Sequence, residues 1–210
     1  MEITFLGHSS FQIKGKDVTI VTDPFEPKKI GFKFPKVEAD IVTVSHEHTD
    51  HNFVEGVGGE PFVISGPGEY EVKGVRIFGI PELHGGDLGK VTLYLIEMDD
   101  LSIVHLSDLG QKLEHNQVEE LNTVDILMVP VGNAGVQLNA EMAAEVVAQL
   151  EPYIVLPIHY RESEGTKKFD PIEKFLEQMG EENVRREKKL KITKSSLPED
   201  TEVIVLERTK

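Results

Sequence analysis

With 210 residues the chain is long enough for one sizeable domain with a real core, and a single unit spanning 1–210 is expected. Its 22 lysines and arginines against 37 aspartates and glutamates leave a net charge of −15, which argues against a broad electrostatic surface for nucleic acid or anionic membrane. The absence of cysteine excludes disulfides, thiolate metal ligands and a cysteine nucleophile, so any metal has to be held by nitrogen and oxygen.

Met1-Glu2-Ile3-Thr4-Phe5-Leu6 has no basic region followed by a long apolar run, and no stretch approaches the ~18 apolar residues of a membrane span. A cytoplasmic protein that does not enter the membrane is expected. Ile3 to Leu6, Phe11 to Ile13 and Val18 to Val21 are β-rich runs separated by Gly7-His8-Ser9 and Gly15-Lys16-Asp17, the pattern of a meander opening an antiparallel sheet. Thr22-Asp23-Pro24 ends the third run, because proline has no amide for a ladder. The loop from Phe25 to Lys36 interleaves Lys28, Lys29, Lys33 and Lys36 with Phe25, Phe32 and Phe34. It reads equally as a connector whose aromatics tuck into the body and as a flap that attracts an anionic substrate.

Asp40-Ile41-Val42-Thr43-Val44 reads as a buried strand, followed at once by Ser45-His46-Glu47-His48-Thr49-Asp50-His51. In an extended chain His46 and His48 point to one side, while Asp50 and His51 come later and can curl toward a second point. The spacing suggests two neighbouring metal positions. A solvated loop rich in histidine is the plain alternative, but four metal-competent side chains in six places, in a chain with 8 histidines, favour a metal site.

Phe62 to Ser65, Tyr70 to Lys73 and Val75 to Ile80 read as strands, which Pro81-Glu82-Leu83-His84-Gly85-Gly86-Asp87 is expected to interrupt with a tight loop. Val91 to Glu97 and Leu101 to Leu106 suggest a hairpin around Asp99-Asp100 that runs into His105-Leu106-Ser107-Asp108. A helical segment around Lys112 to Leu121 precedes the strand Ile126 to Val131 and the turn Gly132-Asn133-Ala134-Gly135. Asn139 can cap a helix through Leu150 that Pro152 stops, and the strand Tyr153 to Ile158 delivers His159. Asp170-Pro171-Ile172-Glu173 reads as a helix start, with Ile172, Phe175, Leu176 and Met179 as its apolar stripe and Gly180 as its end. The basic run from Arg185 to Lys194 reads as a solvated turn and hairpin before the strand Val203 to Leu206. Strands first, then strand and helix in alternation, predict helices outside two sheets.

His or Asp stands just past a strand at residues 46 to 51, 84, 108 and 159. Through His46-x-His48-x-Asp50-His51 and the later His84, Asp108 and His159, in that order, the chain resembles the metallo-β-lactamase superfamily over nearly its whole length. Gly7-His8-Ser9, Thr22-Asp23-Pro24, Gly132-Asn133 and Pro157-Ile158-His159-Tyr160 look like the small hydrolases related to ascorbate-6-phosphate lactonase. The resemblance implies an α/β (α+β) fold, a four-layer αββα sandwich with the site on one edge. It implies two divalent ions, with His46, His48 and His84 holding the first, Asp50, His51 and His159 the second, and Asp108 bridging. Zn²⁺ is favoured, and the same ligands suit Mn²⁺, Fe²⁺ or Ni²⁺.

Such a centre lowers the pKa of water from 15.7 toward about 7, which makes a bridging hydroxide available as nucleophile. Asp50 or a metal-bound water could then pass a proton to the leaving group. The leading expectation is a metal-dependent hydrolase of a small ester or lactone, with the lysine-rich loop pointing to an anionic one. A phosphodiesterase or nuclease built on the same centre is the runner-up, with long nucleic acids disfavoured by the net charge of −15. A non-catalytic metal-binding module is the third reading. Around the centre, His8 could contact substrate or a carboxylate, or simply hold a turn, and Asp23 could orient a ligating imidazole. Asn133 and Tyr160 could touch substrate, His105 is expected to be a satisfied core group, and His115 an inert surface one.

Overall fold

The computed structural model describes residues 1–84, 89–162, 166 and 168–209. The expected meander is present as β1 (Glu2–Gly7), β2 (Ser10–Lys14) and β3 (Thr19–Thr22). A helical turn α1 (Pro27–Ile30) follows. β4 (Val37–Glu38) and β6 (Val57–Gly58) make a small separate ladder, while β5 (Ile41–Thr43) and β7 (Phe62–Ile64) join β3 in parallel.

The second sheet contains β8 (Gly68–Val72), β9 (Val75–Leu83), β10 (Lys90–Met98), β11 (Leu101–His105), β12 (Ile126–Pro130) and β13 (Ile154–Ile158). The helices α2 (His115–Leu121), α3 (Ala140–Leu150) and α4 (Glu173–Met179) lie between or after these strands. β14 (Arg185–Glu187), β15 (Leu190–Lys191) and β16 (Glu202–Leu206) complete the chain. The orders are β15-β1-β2-β3-β5-β7 in one sheet and β14-β16-β13-β12-β11-β10-β9-β8 in the other.

The two sheets close face to face on one core, where Ile3, Phe5, Ile13 and Ile20 meet Ile77, Tyr94, Ile96, Ile103 and Met128. On the far side of the second sheet, Val146, Val147 and Leu150 of α3 and Phe175 and Leu176 of α4 pack on Leu93, Val104, Leu127 and Val155. Asn139 caps α3 as expected, its Oδ1 accepting the Met142 amide at 2.9 Å. Among the described residues no long helix covers the outer face of the first sheet. Val37, Ala39, Val54 and Val57 cover Leu6, Val21 and Val42 there, so this outer layer of the sandwich is thin.

Three expectations are corrected. β9 does not break at Pro81 but runs through it to Leu83, because the facing Thr92 donates its amide to the Ser45 carbonyl at 2.9 Å. The Gly85-Gly86-Asp87 part of the expected loop lies outside the described residues. The basic run is not a hairpin: β14 pairs with β16 in one sheet and β15 with β1 in the other, so the segment crosses between sheets. α4 begins at Glu173 with no side-chain cap, since Asp170 bonds the Lys174 ammonium at 2.8 Å instead. The lysine-rich segment follows the connector reading in its aromatics. Phe25, Ile30, Phe32 and Phe34 form their own apolar cluster, while Lys28, Lys29, Lys33 and Lys36 are exposed.

A Cβ at Gly132 would sit 1.8 Å from the His159 carbonyl oxygen, a backbone atom that cannot swing away. Gly132→Ala should destabilise the protein by about 2 kcal/mol or more, read as a lower urea midpoint at unchanged slope.

Candidate metal centre

Strand β1 ends at His8, β3 at Asp23, β5 at the His46–His51 loop, β11 at Ser107-Asp108, β12 at Gly132 and β13 at His159. The parallel strands in each sheet point the same way, so these ends gather at one edge of the sandwich. Several turn abruptly there. His8 (φ 60°), Asp23 (38°), Ser107 (47°) and His159 (54°) are all left-handed, a conformation that costs about 1–3 kcal/mol for a residue with a side chain. Cross-bonds hold them, among them the His159 amide on the His8 carbonyl at 3.1 Å and the His8 amide on Glu162 Oε1 at 3.2 Å.

Among the described residues three sets of side chains offer ligand atoms within 4.8 Å of one another: His46, His48 and His84; His46, His51 and Asp108; and His8, His51 and His159. Asp108 Oδ2 lies 3.0 Å from His84 Nε2, 3.4 Å from His51 Nε2 and 3.8 Å from His46 Nε2, and its Oδ1 lies 3.1 Å from His159 Nδ1. Ligand atoms about 2.0–2.2 Å from one ion are separated by about 3.0–3.5 Å, so most of these spacings suit a shared cation. The donor set passes a second test. Among the described residues, His46 Nε2, His51 Nε2, His159 Nε2 and Asp108 Oδ1 are buried without a hydrogen-bond partner, a costly state for polar atoms unless something else binds them.

Asp23 is fully buried and organises the near side of the cluster. It accepts the Ser45 amide at 2.8 Å, the Ser45 hydroxyl at 2.7 Å, the Ser107 hydroxyl at 2.6 Å and His51 Nδ1 at 2.8 Å. Because a carboxylate only accepts, His51 Nδ1 carries a proton toward Asp23, and Nε2 is turned toward Asp108. Ser45 Oγ also reaches His46 Nδ1 at 2.9 Å, which leaves His46 Nε2 toward the cluster.

Protonation follows burial and charge. Burial pushes the Asp23 and Asp108 carboxyls up, but the surrounding imidazoles overcome it, His51 foremost at Asp23 and His159 and His51 at Asp108, and hold both well below the usual carboxylate range. Burial lowers His8 and His105 and takes His159 far below its ordinary value, while burial and the nearby His51 bring His46 down to about 3. Burial opposes charge on His51 too, but Asp108 and Asp23 raise it well above the ordinary imidazole value. Neutral imidazoles beside buried carboxylates are the state in which such groups receive a cation.

Six of the eight histidines thus converge, together with Asp50 and Asp108. Asp50 stands beside His8, Oδ2 to Nε2 at 3.4 Å. His105 lies beneath, its Nε2 bonding the Ser9 carbonyl at 2.8 Å, and His115 is on the surface of α2 beside Glu119. Tyr160 packs its ring on Phe5, and Asn133 is an exposed turn residue bonding the Gly135 amide; neither belongs to the three sets. Sequence reasoning missed Ser9, Ser45, Ser107 and Gln137. Ser9 Oγ reaches His51 Nδ1 at 3.2 Å, and the buried Gln137 side chain reaches His159 Nδ1 at 2.9 Å. Ser45 and Ser107 each directly precede a named site residue, a signal that could have found them; Gln137 gives none.

The sandwich and its edge cluster define a class, and similarity to known proteins specifies it. The family described as beta-lactamase superfamily domain matches residues 2–159. A solved Thermotoga maritima protein, assigned as a Zn-dependent hydrolase of the metallo-β-lactamase superfamily, is 34% identical with a TM-score of 0.84, over 99% of both chains. The UPF0173 metal-dependent hydrolase of Methanopyrus kandleri is 28% identical, over 99% of this chain and 97% of its own. A metallo hydrolase of Ignicoccus hospitalis, 20% identical over 100% of this chain and 96% of its own, shares the fold with a TM-score of 0.71. The chain belongs to the metallo-β-lactamase superfamily.

Two outcomes follow for this cluster. His8, His46, His105 and His159 have lowered values, so below about pH 6.5 they protonate in the unfolded chain before the folded one. Each then removes up to about 1.4 kcal/mol per pH unit, whereas His51, already charged in the folded state, offsets a small part of this near pH 6.5 and adds no slope once the unfolded chain is charged as well. The unfolding midpoint of metal-free protein should fall steeply from pH 6.5 to 5, and a flat profile would contradict the assigned protonation. Asp23→Asn keeps the shape but loses the carboxylate that sets the His51 tautomer, so metal affinity by equilibrium dialysis should drop about 10- to 100-fold.

Proposed function

We propose that the chain is a metal-dependent hydrolase, one domain over residues 1–210, whose two ion positions are formed by His46, His48 and His84 and by Asp50, His51 and His159, with Asp108 shared. The observation that carries the reading is Asp108, whose two oxygens lie within 3.1 Å of an imidazole nitrogen on either side, His84 and His159. The names of the similar Thermotoga and Methanopyrus proteins support the same reading. Divalent ions, zinc foremost, would supply Lewis acidity and water of lowered pKa.

The chain's own groups do the rest. Asp23, Ser45 and Ser9 orient His51 and His46, and Gln137 holds His159. Asp50, whose side chain is 25% exposed beside buried His8, has access to solvent and is held ionised, so it would take up the proton that the attacking water gives up and pass it to the leaving group. The substrate we favour is a small ester or lactone bearing an anionic group, drawn by the exposed Lys28, Lys29, Lys33 and Lys36. The likeness of its turns to those of ascorbate-6-phosphate lactonase relatives agrees with this choice, and phosphodiesters are the second substrate class to try. Among the described residues no helix is long and apolar enough to cross a membrane.

Zn²⁺- and Mn²⁺-loaded protein is to be assayed on lactones, esters and a chromogenic phosphodiester. Turnover of the first two is expected, and activity confined to the phosphodiester would overturn the substrate assignment. Changing the four lysines to alanine should raise KM for charged esters about 10-fold and leave neutral ones unchanged. Equal effects on both would remove the anionic part.

A further inference from the structure

Resting on the dinuclear reading above, we infer that His8 is a ligand of the second ion position, so that this position is held by His8, Asp50, His51 and His159. His8 occupies the first position of the two-residue turn between β1 and β2, where a positive φ normally calls for glycine. A histidine held at φ 60° in that place implies that the imidazole is needed where the turn puts it. The side chain is completely enclosed, yet among the described residues Nδ1 has no partner and Nε2 only faces Asp50 Oδ2, at 3.4 Å and outside ordinary hydrogen-bond geometry. A turn-holding histidine would bond at least one neighbour.

The ring is aimed at the second position. Its centroid is 4.1 Å from that of His159 and 5.3 Å from that of His51, and the three offer ligand atoms within 4.8 Å of one another. Nε2 lies 3.4 Å from Asp50 Oδ2, the separation His51 Nε2 keeps from Asp108 Oδ2. That is the distance about 2.1 Å bonds to one ion would impose on two ligand atoms. The tautomer can follow, since among the described residues Nδ1 has no partner and Nε2 faces only the carboxylate with which it would share the ion.

The two positions then differ in kind. The first has three imidazoles and a share of Asp108; the second adds Asp50 to its three imidazoles, a donor count that suits a divalent ion accepting more than four ligands. The second ion also becomes tied to the β1–β2 turn, whose His8 carbonyl takes the His159 amide.

The test is calorimetric titration of metal-free protein with Zn²⁺, repeated with Mn²⁺, on wild type, His8→Asn, His8→Gly and His48→Ala. Asn and Gly both accept a left-handed backbone, so the turn survives, as circular dichroism and the metal-free urea midpoint will report. Wild type should take up two ions. Both His8 variants should bind the first ion as wild type does and the second at least about 10-fold more weakly, whereas His48→Ala should weaken the first. Two ions bound with unchanged affinity in the His8 variants would overturn the role of His8 while leaving the dinuclear centre intact. Loss of the first ion along with the second would make His8 a framework residue and overturn it equally. Fewer than two ions in wild type would instead overturn the dinuclear reading itself.

Discussion

The carboxylate of Asp23, with no exposed surface, accepts hydrogen bonds from Ser45, His51 and Ser107, which come from two different sheets. Burying a charge is tolerated only when its lone pairs are filled, and here they are filled by the segments that carry the metal-competent groups. Ser45 leads into the histidine loop and Ser107 into Asp108, so one anion aligns both halves of the cluster. The same contact sets the His51 tautomer. Removing it would take the shared acceptor from four donor groups inside the protein and leave the edge of the sandwich without a common reference point.

The rest of the architecture supplies strand ends to that reference point. Parallel pairing of β3 with β5, and of β11 with β12 and β13, brings several C-terminal ends to one edge. The apolar core between the sheets fixes their separation, and close packing at Gly132 lets the β12 and β13 ends touch backbone to backbone. Left-handed residues at four of the ends turn side chains inward that an extended chain would carry past the edge. That strain is concentrated at the cluster, as expected where function rather than folding selects the conformation.

Burial and charge act in opposite directions on the cluster's histidines, and the sorting is informative. His8, His46, His105 and His159 are held neutral by desolvation, whereas His51, between two buried carboxylates, keeps its proton in the absence of metal. Excess negative charge therefore accumulates around Asp23 and Asp108, and a cation is the natural counterweight. The exposed lysines of the α1 segment lie outside this balance, their aromatic neighbours having turned inward to form a separate small cluster.

The sequence alone determined the alternation of strands and helices, the hairpin at Asp99-Asp100 and the Asn139 cap, because these depend on neighbours within a few residues. It also determined which groups are metal-competent, since His46-x-His48-x-Asp50-His51 carries its chemistry in residue type and spacing. Pro81, the start of α4 and the basic run were misread because pairing partners outweighed local signals: Thr92 turned its amide to Ser45, Asp170 preferred Lys174, and two sheets claimed β14 and β15. Only the tertiary structure decided that Ser9, Ser45, Ser107 and Gln137 join Asp23, already a candidate in the sequence, around the imidazoles, and that His8 lies against His51 and His159 rather than simply closing a turn. Those contacts join residues far apart in the chain, such as Ser9 and His51 or Asp23 and Ser107. No local pattern encodes such a distance; it exists once the sheets have packed.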